Sequence, residues 1–257
     1  MTNIASPKRV LIVGGTSGVG FATAQRFAEA GATVTIVGRD AARAESARTK
    51  ITANYPNSKI FAVVGDANKS SDAERIIAET TNLVGGIDVL VTATVGDALP
   101  DLYTGMPIAR ITDDLVQQVV GPLLMARAVL PTMKAQGSGV IIPVASDAGK
   151  VATPGETVIG AAMAGIIMFC RTLAMEVKRD GIRVNCVTPS LIQGTGTYDR
   201  IFAHPFSTRL FEKAAKLASL GVAETGDLAA LIFFLASPEA GRITGQAVSV
   251  NGGISAA

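Results

Sequence analysis

Apolar and polar positions along the chain fall into two kinds of segment that alternate from end to end. Short runs rich in β-branched residues recur at 10–13, 33–37, 60–64, 89–91, 140–144, 183–187 and 247–250. Most of the stretches between them carry apolar residues at helical spacing; Phe21, Ala24, Phe27 and Ala28, for instance, share one face. Strands that are apolar throughout and separated by helices predict a parallel sheet covered on both faces. Seven such strands use up the whole length, with no linker, low-complexity tract or internal repeat between them. The predicted architecture is therefore α/β: one doubly wound domain over residues 1–257, with a seven-stranded, mainly parallel sheet and helices on both faces.

Composition narrows the function classes. Of 257 residues, 48% are apolar and 17% charged, a balance that excludes a disordered chain. Lys plus Arg number 23 and Asp plus Glu 21, so the net charge of +2 gives no strong field toward nucleic acid or an anionic membrane. Cys170 and Cys186 are too few for a disulfide scaffold, and a single histidine, His204, excludes metal sites built on several. The mean hydropathy of +0.39 raises the question of a membrane span. The longest apolar run, 158–170, has 13 residues, short of the roughly 20 that cross a bilayer. No apolar stretch precedes the first strand, so no secretory leader is expected, and a reducing, cytoplasmic compartment is the expectation.

The first loop carries the chemistry. Strand 10–13 runs directly into Gly14, Gly15, Thr16, Ser17, Gly18, Val19 and Gly20, and a helix follows. Glycines there let the backbone turn tightly and approach a pyrophosphate, while the helix N-terminus offers free N–H donors. A lone glycine pattern also describes an ordinary turn. This one lies between a strand and a helix, as a dinucleotide site requires.

With these residues in place the chain resembles the short-chain dehydrogenase/reductase family, over about residues 8–253. The spacing of Gly14, Gly18 and Gly20 matches that family's cofactor loop. Asp66 matches the aspartate that touches adenine, and Ala67 beside it belongs to the same cofactor set. Gly121, Ala128 and Pro131 match the helix after the fourth strand, and residues 139–149 match the segment carrying the family serine, here Ser146. Asn185 lies in the sixth-strand motif 181–189. Thr244, Gly245, Asn251, Gly252 and Gly253 match the C-terminal signature. The resemblance implies a Rossmann-type domain, an NAD or NADP cofactor, no metal, and oligomers built on two long helices.

The second strand bears on the choice of cofactor. Gly38 stands where an NAD enzyme usually places a carboxylate, and Arg39 follows. A guanidinium there suits a 2′-phosphate, which favours NADP; alternatively Arg39 is one of a solvated basic set with Arg43 and Arg48.

Against the family pattern, the proton-transfer residues are missing. The family spacing puts its tyrosine at Ile159 and its lysine at Met163, with Ala164 and Gly165 securing the register, and its relay asparagine at Gln118. Isoleucine and methionine cannot shuttle a proton, a contribution worth roughly 10²–10⁴ in rate. The fourth-strand motif is altered too, to Thr92, Ala93, Thr94 and Val95. Ser146 is therefore expected to be vestigial. Tyr103 and Tyr198 are expected at the substrate rim, and Lys150 and Asp147 near solvent. The apolar helix over 158–170 is expected to be buried against a neighbouring subunit. The resulting expectation is a catalytically inactive subunit paired, as a heterotetramer, with a homologous active subunit of the same family. The alternatives are an oxidoreductase with a relocated acid/base and a non-catalytic NADPH-binding sensor.

Overall fold

The computed structural model describes residues 9–94 and 96–256. Its centre is a parallel six-stranded sheet in the order β3-β2-β1-β4-β5-β6. These strands are β1 (Arg9–Val13), β2 (Thr33–Gly38), β3 (Lys59–Val64), β4 (Val89–Thr92), β5 (Gly139–Pro143) and β6 (Ile182–Val184). The continuous apolar runs have a simple cause. Leu11 and Val13 of β1 enter one core, while Val10 and Ile12 enter the other. Alternate side chains thus reach opposite faces of a sheet that has no wet face.

On the Leu11 side pack α3 (Ser70–Val84), α5 (Gly121–Gln136) and α6 (Thr157–Val177), through residues such as Ile76, Met125 and Ile166. On the Val10 side lie α1 (Gly18–Glu29), α2 (Ala41–Asn54) and α9 (Thr225–Ala236), through Phe27, Ile51 and Ile232. The helix α4 (Ile108–Leu115) runs into α5 through one wider π-type turn, Val116–Val120. Strand order reverses between β1 and β4, which opens a crevice at the carboxyl ends of these strands.

The expectation of one seven-stranded sheet needs correction. The main sheet has six strands. The last strand, β10 (Ala247–Val250), pairs instead with β7 (Cys186–Pro189), which continues β6 after a break at Asn185. A single bridge from Val144 to Val187 joins the two sheets. Asn185 causes the break. Its buried side chain donates from Nδ2 to the Ile243 carbonyl (2.9 Å) and accepts from the Gln246 N–H (3.1 Å). That pair of bonds ties the C-terminal segment to the sheet edge. A short pair, β8 (Ile192–Gln193) with β9 (Ala223–Glu224), and the helices α7 (Gly196–Ala203) and α8 (Pro205–Leu217) complete the fold over the crevice.

The membrane argument from the 13-residue run also needs correction. Two helical segments, Ile108–Gln136 and Thr157–Asp180, are long and apolar enough to span a bilayer by length and composition. The sequence criterion stopped at Arg171, which a helix passes without interruption. In the fold both segments cover the sheet, and Val158, Ala162, Ile166, Cys170 and Leu173 of α6 lie in the core. The opposite face of α6 is not buried in this chain. Ala161, Ala164, Gly165 and Thr172 are exposed there, with Met168 at 57% and Met175 at 60%.

Candidate active site

A cleft of about 1270 Å³ runs along the crevice at the β1/β4 reversal. At its centre is the turn from β1 into α1. Gly14, Thr16, Ser17, Gly18 and Val19 line the cleft. Gly14 and Gly18 adopt φ of +81° and +52°, which favour glycine. A Cβ on Gly14 would stand 2.6 Å from the Ala93 carbonyl. Gly20 does not line the cleft. It lets α1 pack on the turn, since a Cβ there would stand 2.2 Å from the Gly14 carbonyl oxygen. Ser17 occupies the N-cap of α1, yet no side chain caps the helix, so its first N–H groups face the cleft.

One end of the cleft is basic. Arg39, Arg43 and Lys50 line it, and none is in an ion pair among the described residues. Arg48, grouped with them on sequence, turns away to Glu45 at 2.6 Å. Asp40 caps α2 by accepting the Arg43 N–H at 2.8 Å. Gly38 is held bare by its neighbour, because a Cβ would meet the Thr16 methyl at 2.6 Å. Asp66 and Ala67 line the same end. One Asp66 oxygen accepts the Asn68 N–H at 3.1 Å, which fixes the carboxylate's orientation.

These residues fit a dinucleotide. The turn leaves room for a pyrophosphate against backbone and helix N-terminus, and the basic end suits an added phosphate. Thr94 also lines the cleft, and its buried Oγ1 has no partner among the described residues. Val95, named with it on sequence, lies outside the described residues. Among the described residues no cluster of three or more metal-binding side chains occurs.

The other end of the cleft is where the family chemistry would occur, and the structure brings all four expected positions together there. Ser146, Gln118, Ile159 and Met163 all line it. Ser146 caps the turn that follows it, its Oγ accepting the Ala148 N–H at 3.2 Å. Gln118 sits inside the π-type turn, nearly buried, while Gln117 beside it accepts the Asp97 N–H at 3.2 Å. An inserted turn of this kind leaves no residue pattern in a sequence and often marks a functional position. Ile159 and Met163 present only aliphatic and thioether surface to the cleft.

The rim expectations divide. Tyr198 lines the cleft, its ring 4.5 Å from that of Phe202, whereas Tyr103 does not line it and is exposed. Tyr55 packs against the α1 side core. Arg200, on α7, reaches across to Asp97 at 2.8 Å and so ties the covering helices to the segment after β4. His204 ends α7, with Nδ1 3.3 Å from the Ser207 hydroxyl.

Asp147 and Lys150 overturn the expectation that they face solvent. Asp147 is 4% exposed and forms an ion pair with Lys150 at 3.1 Å. Its oxygens also accept from Ser249 (2.8 Å), Asn251 (2.5 Å) and Ser255 (3.3 Å), and Lys150 bonds Ser249 as well. Burial alone would push this carboxyl up; hydrogen bonds from Asn251, Ser249, Thr188 and Lys150 overcome that and hold it below the ordinary carboxylate value.

Sequence reasoning missed Glu156. It is the N-cap residue of α6, one turn before Ile159, and it lines the cleft with Ser146 and Met163. Burial among these groups pushes its carboxyl up to about 7, against a smaller opposing hydrogen bond from Thr153. A glutamate at a helix start carries no signal in sequence beyond the helix start itself, so only the cavity reveals it.

Comparison with known proteins settles the family. A family model described as Enoyl-(Acyl carrier protein) reductase matches residues 13–255. The chain is a short-chain dehydrogenase/reductase. Members of this family are NAD(P)-dependent oxidoreductases. The chain is 31% identical over 251 residues to human "Dehydrogenase/reductase SDR family member 4", covering 96% of this chain and 87% of that one. It is 31% identical to the "3-oxoacyl-[acyl-carrier-protein] reductase FabG" of Chlamydia muridarum, covering 99% and 100%. The crystal structure of levodione reductase superposes with a TM-score of 0.89 at 27% identity, covering 96% of each chain.

Proposed function

We propose that this short-chain dehydrogenase/reductase is a subunit that binds NADP but does not itself transfer hydride, and that it pairs with a homologous, catalytically active subunit. One observation carries the reading: Ile159 and Met163 line the cleft beside Ser146, at the positions where the family's tyrosine and lysine would stand. A bound dinucleotide is a hydride carrier, and the residues here would hold it without using it. Thr16, Ser17 and Gly18 would hold its pyrophosphate, and Arg39, Arg43 and Lys50 its added phosphate. Asp66 would hold its adenine. No side chain at 159 or 163 can take or give the proton that must accompany hydride transfer.

The exposed small and methionine side chains of α6 support the pairing. Ala161, Ala164, Gly165 and Met168 form an apolar strip on a helix whose other face is already in the core. Such a strip needs a second helix over it, and a near-symmetric pairing with a homologous chain in a heterotetramer provides one. The degenerate site and the chain length resemble the non-catalytic subunit of 2-(hydroxybenzyl)succinyl-CoA dehydrogenase of anaerobic toluene degradation. On that resemblance the active partner oxidises a hydroxyacyl-CoA.

Native mass spectrometry of the chain purified from its own host tests this. A stoichiometric second chain of similar mass, carrying the family's tyrosine and lysine, is expected. A homo-oligomer alone overturns the pairing. Restoring both groups, as Ile159→Tyr with Met163→Lys, should still yield weak or no turnover, since Gln118 and Thr92 to Thr94 remain altered. Family-level activity of that variant in a spectrophotometric NADPH assay would show the rest of the site to be intact.

A second reading, an oxidoreductase with a relocated acid/base, is favoured by the Glu156 carboxyl in the cleft. It requires turnover by the chain without a partner.

A further inference from the structure

We infer that Glu156 makes the far end of the cleft select the oxidised over the reduced dinucleotide. The inference rests on the dinucleotide-binding reading and adds which redox form is held. A single cleft carries the phosphate cradle at its centre and the basic end with Asp66 on one side. A dinucleotide anchored by its pyrophosphate and by one nucleoside at the basic end must lay its second nucleoside toward Ser146, Ile159, Met163 and Glu156. The ring at that end is a cation when oxidised and neutral when reduced.

The charge it meets there is unusual. Position 163, a lysine in the family pattern, is a neutral methionine, so no cation at that position opposes a cationic ring. Glu156, the N-cap residue of α6, adds a carboxyl about two turns earlier. Charged neighbours on the surrounding elements are already engaged. Arg200 on α7 is held by Asp97, Lys150 by Asp147, and Arg110 on α4 by Asp114 and Asp101. Lys134 on α5 pairs with Asp180, while Arg127 on α5 and Asp113 on α4 are exposed. Tyr198 lines the cleft, and His204 sits against Ser207.

An ionised Glu156 attracts the oxidised ring and gives nothing to the reduced one; a protonated Glu156 does not distinguish them. Because burial pushes this carboxyl up to about 7, the preference switches within an ordinary buffer range, growing as pH rises. The 2′-phosphate titrates alike in both forms and cancels from their ratio.

The test is isothermal titration calorimetry of the intact protein with NADP⁺ and with NADPH, at about pH 6 and about pH 8.5. The ratio of the NADPH Kd to the NADP⁺ Kd is expected to rise about fivefold between the two. In Glu156→Gln it should stay flat. His204→Asn replaces the chain's single histidine and should leave the rise intact, so the test stands even if Glu156→Gln does not fold. Binding of both forms with a flat wild-type ratio, or a rise that survives Glu156→Gln, overturns the inference alone. Binding of neither form overturns the dinucleotide reading, and the inference with it.

Discussion

Asp147→Ala is expected to destabilise the protein by about 3–5 kcal/mol, because it removes the buried carboxylate that pairs with Lys150 and accepts from Ser249, Asn251 and Ser255. Ser249 and Asn251 are positioned around the aspartate as donors. Urea unfolding at neutral pH measures the loss; a change below about 1 kcal/mol would show that the pair is solvated in solution. The double variant Asp147→Ala with Lys150→Met should recover part of the stability, since the ammonium is removed together with its carboxylate. Acid gives an independent check. The folded state holds Asp147 below its ordinary value, so its contribution is present above that value and is lost as pH falls through the folded one. Wild-type stability should therefore drop in acid more steeply than that of the alanine variant.

Gly20→Ala is expected to abolish dinucleotide binding, with affinity down at least about 100-fold. A methyl group at 20 would have to occupy space 2.2 Å from the Gly14 carbonyl oxygen and 3.1 Å from the Gly15 Cα, both backbone. Neither can swing away as a side chain would, so α1 must shift off the turn and take its N–H groups with it. Overpacking of this kind costs about 1–3 kcal/mol, or roughly 3–10 °C in thermal midpoint for a chain of this size. Calorimetric titration with NADP⁺ beside a thermal melt separates the two effects. Retained affinity would mean that the helix N-terminus is not what holds the pyrophosphate.

What could be read in the sequence depended on how local its cause was. The six strands of the main sheet were legible because each has to satisfy two apolar cores, which leaves continuous β-branched runs. The glycine turn was legible because its glycines are close together and flanked by a strand and a helix. Ile159 and Met163 could be assigned to their family positions because Ala164 and Gly165 fix the helix register, and both line the cleft. The rest depends on contacts between distant segments. Asn185 breaks the sixth strand through Ile243 and Gln246, about sixty residues away. Asp147 and Lys150 look like loop charges until Ser249, Asn251 and Ser255 are brought over them from the C-terminal signature. The π-type turn around Gln118 is set by backbone geometry that no side-chain spacing records.

The amides of Gly14 and Gly15 both donate to the carbonyl of Val37, at 2.9 and 3.2 Å. The glycine turn is thereby fastened to the sheet at the end of β2, the strand beside β1. Loops that bind ligands are commonly the first parts of a protein to open. This one can detach only by fraying β2 from its neighbour. Its shape before any ligand arrives is thus maintained by the free energy of the whole sheet. Substitutions deep in the β1–β2 core should be felt as lost recognition as well as lost stability.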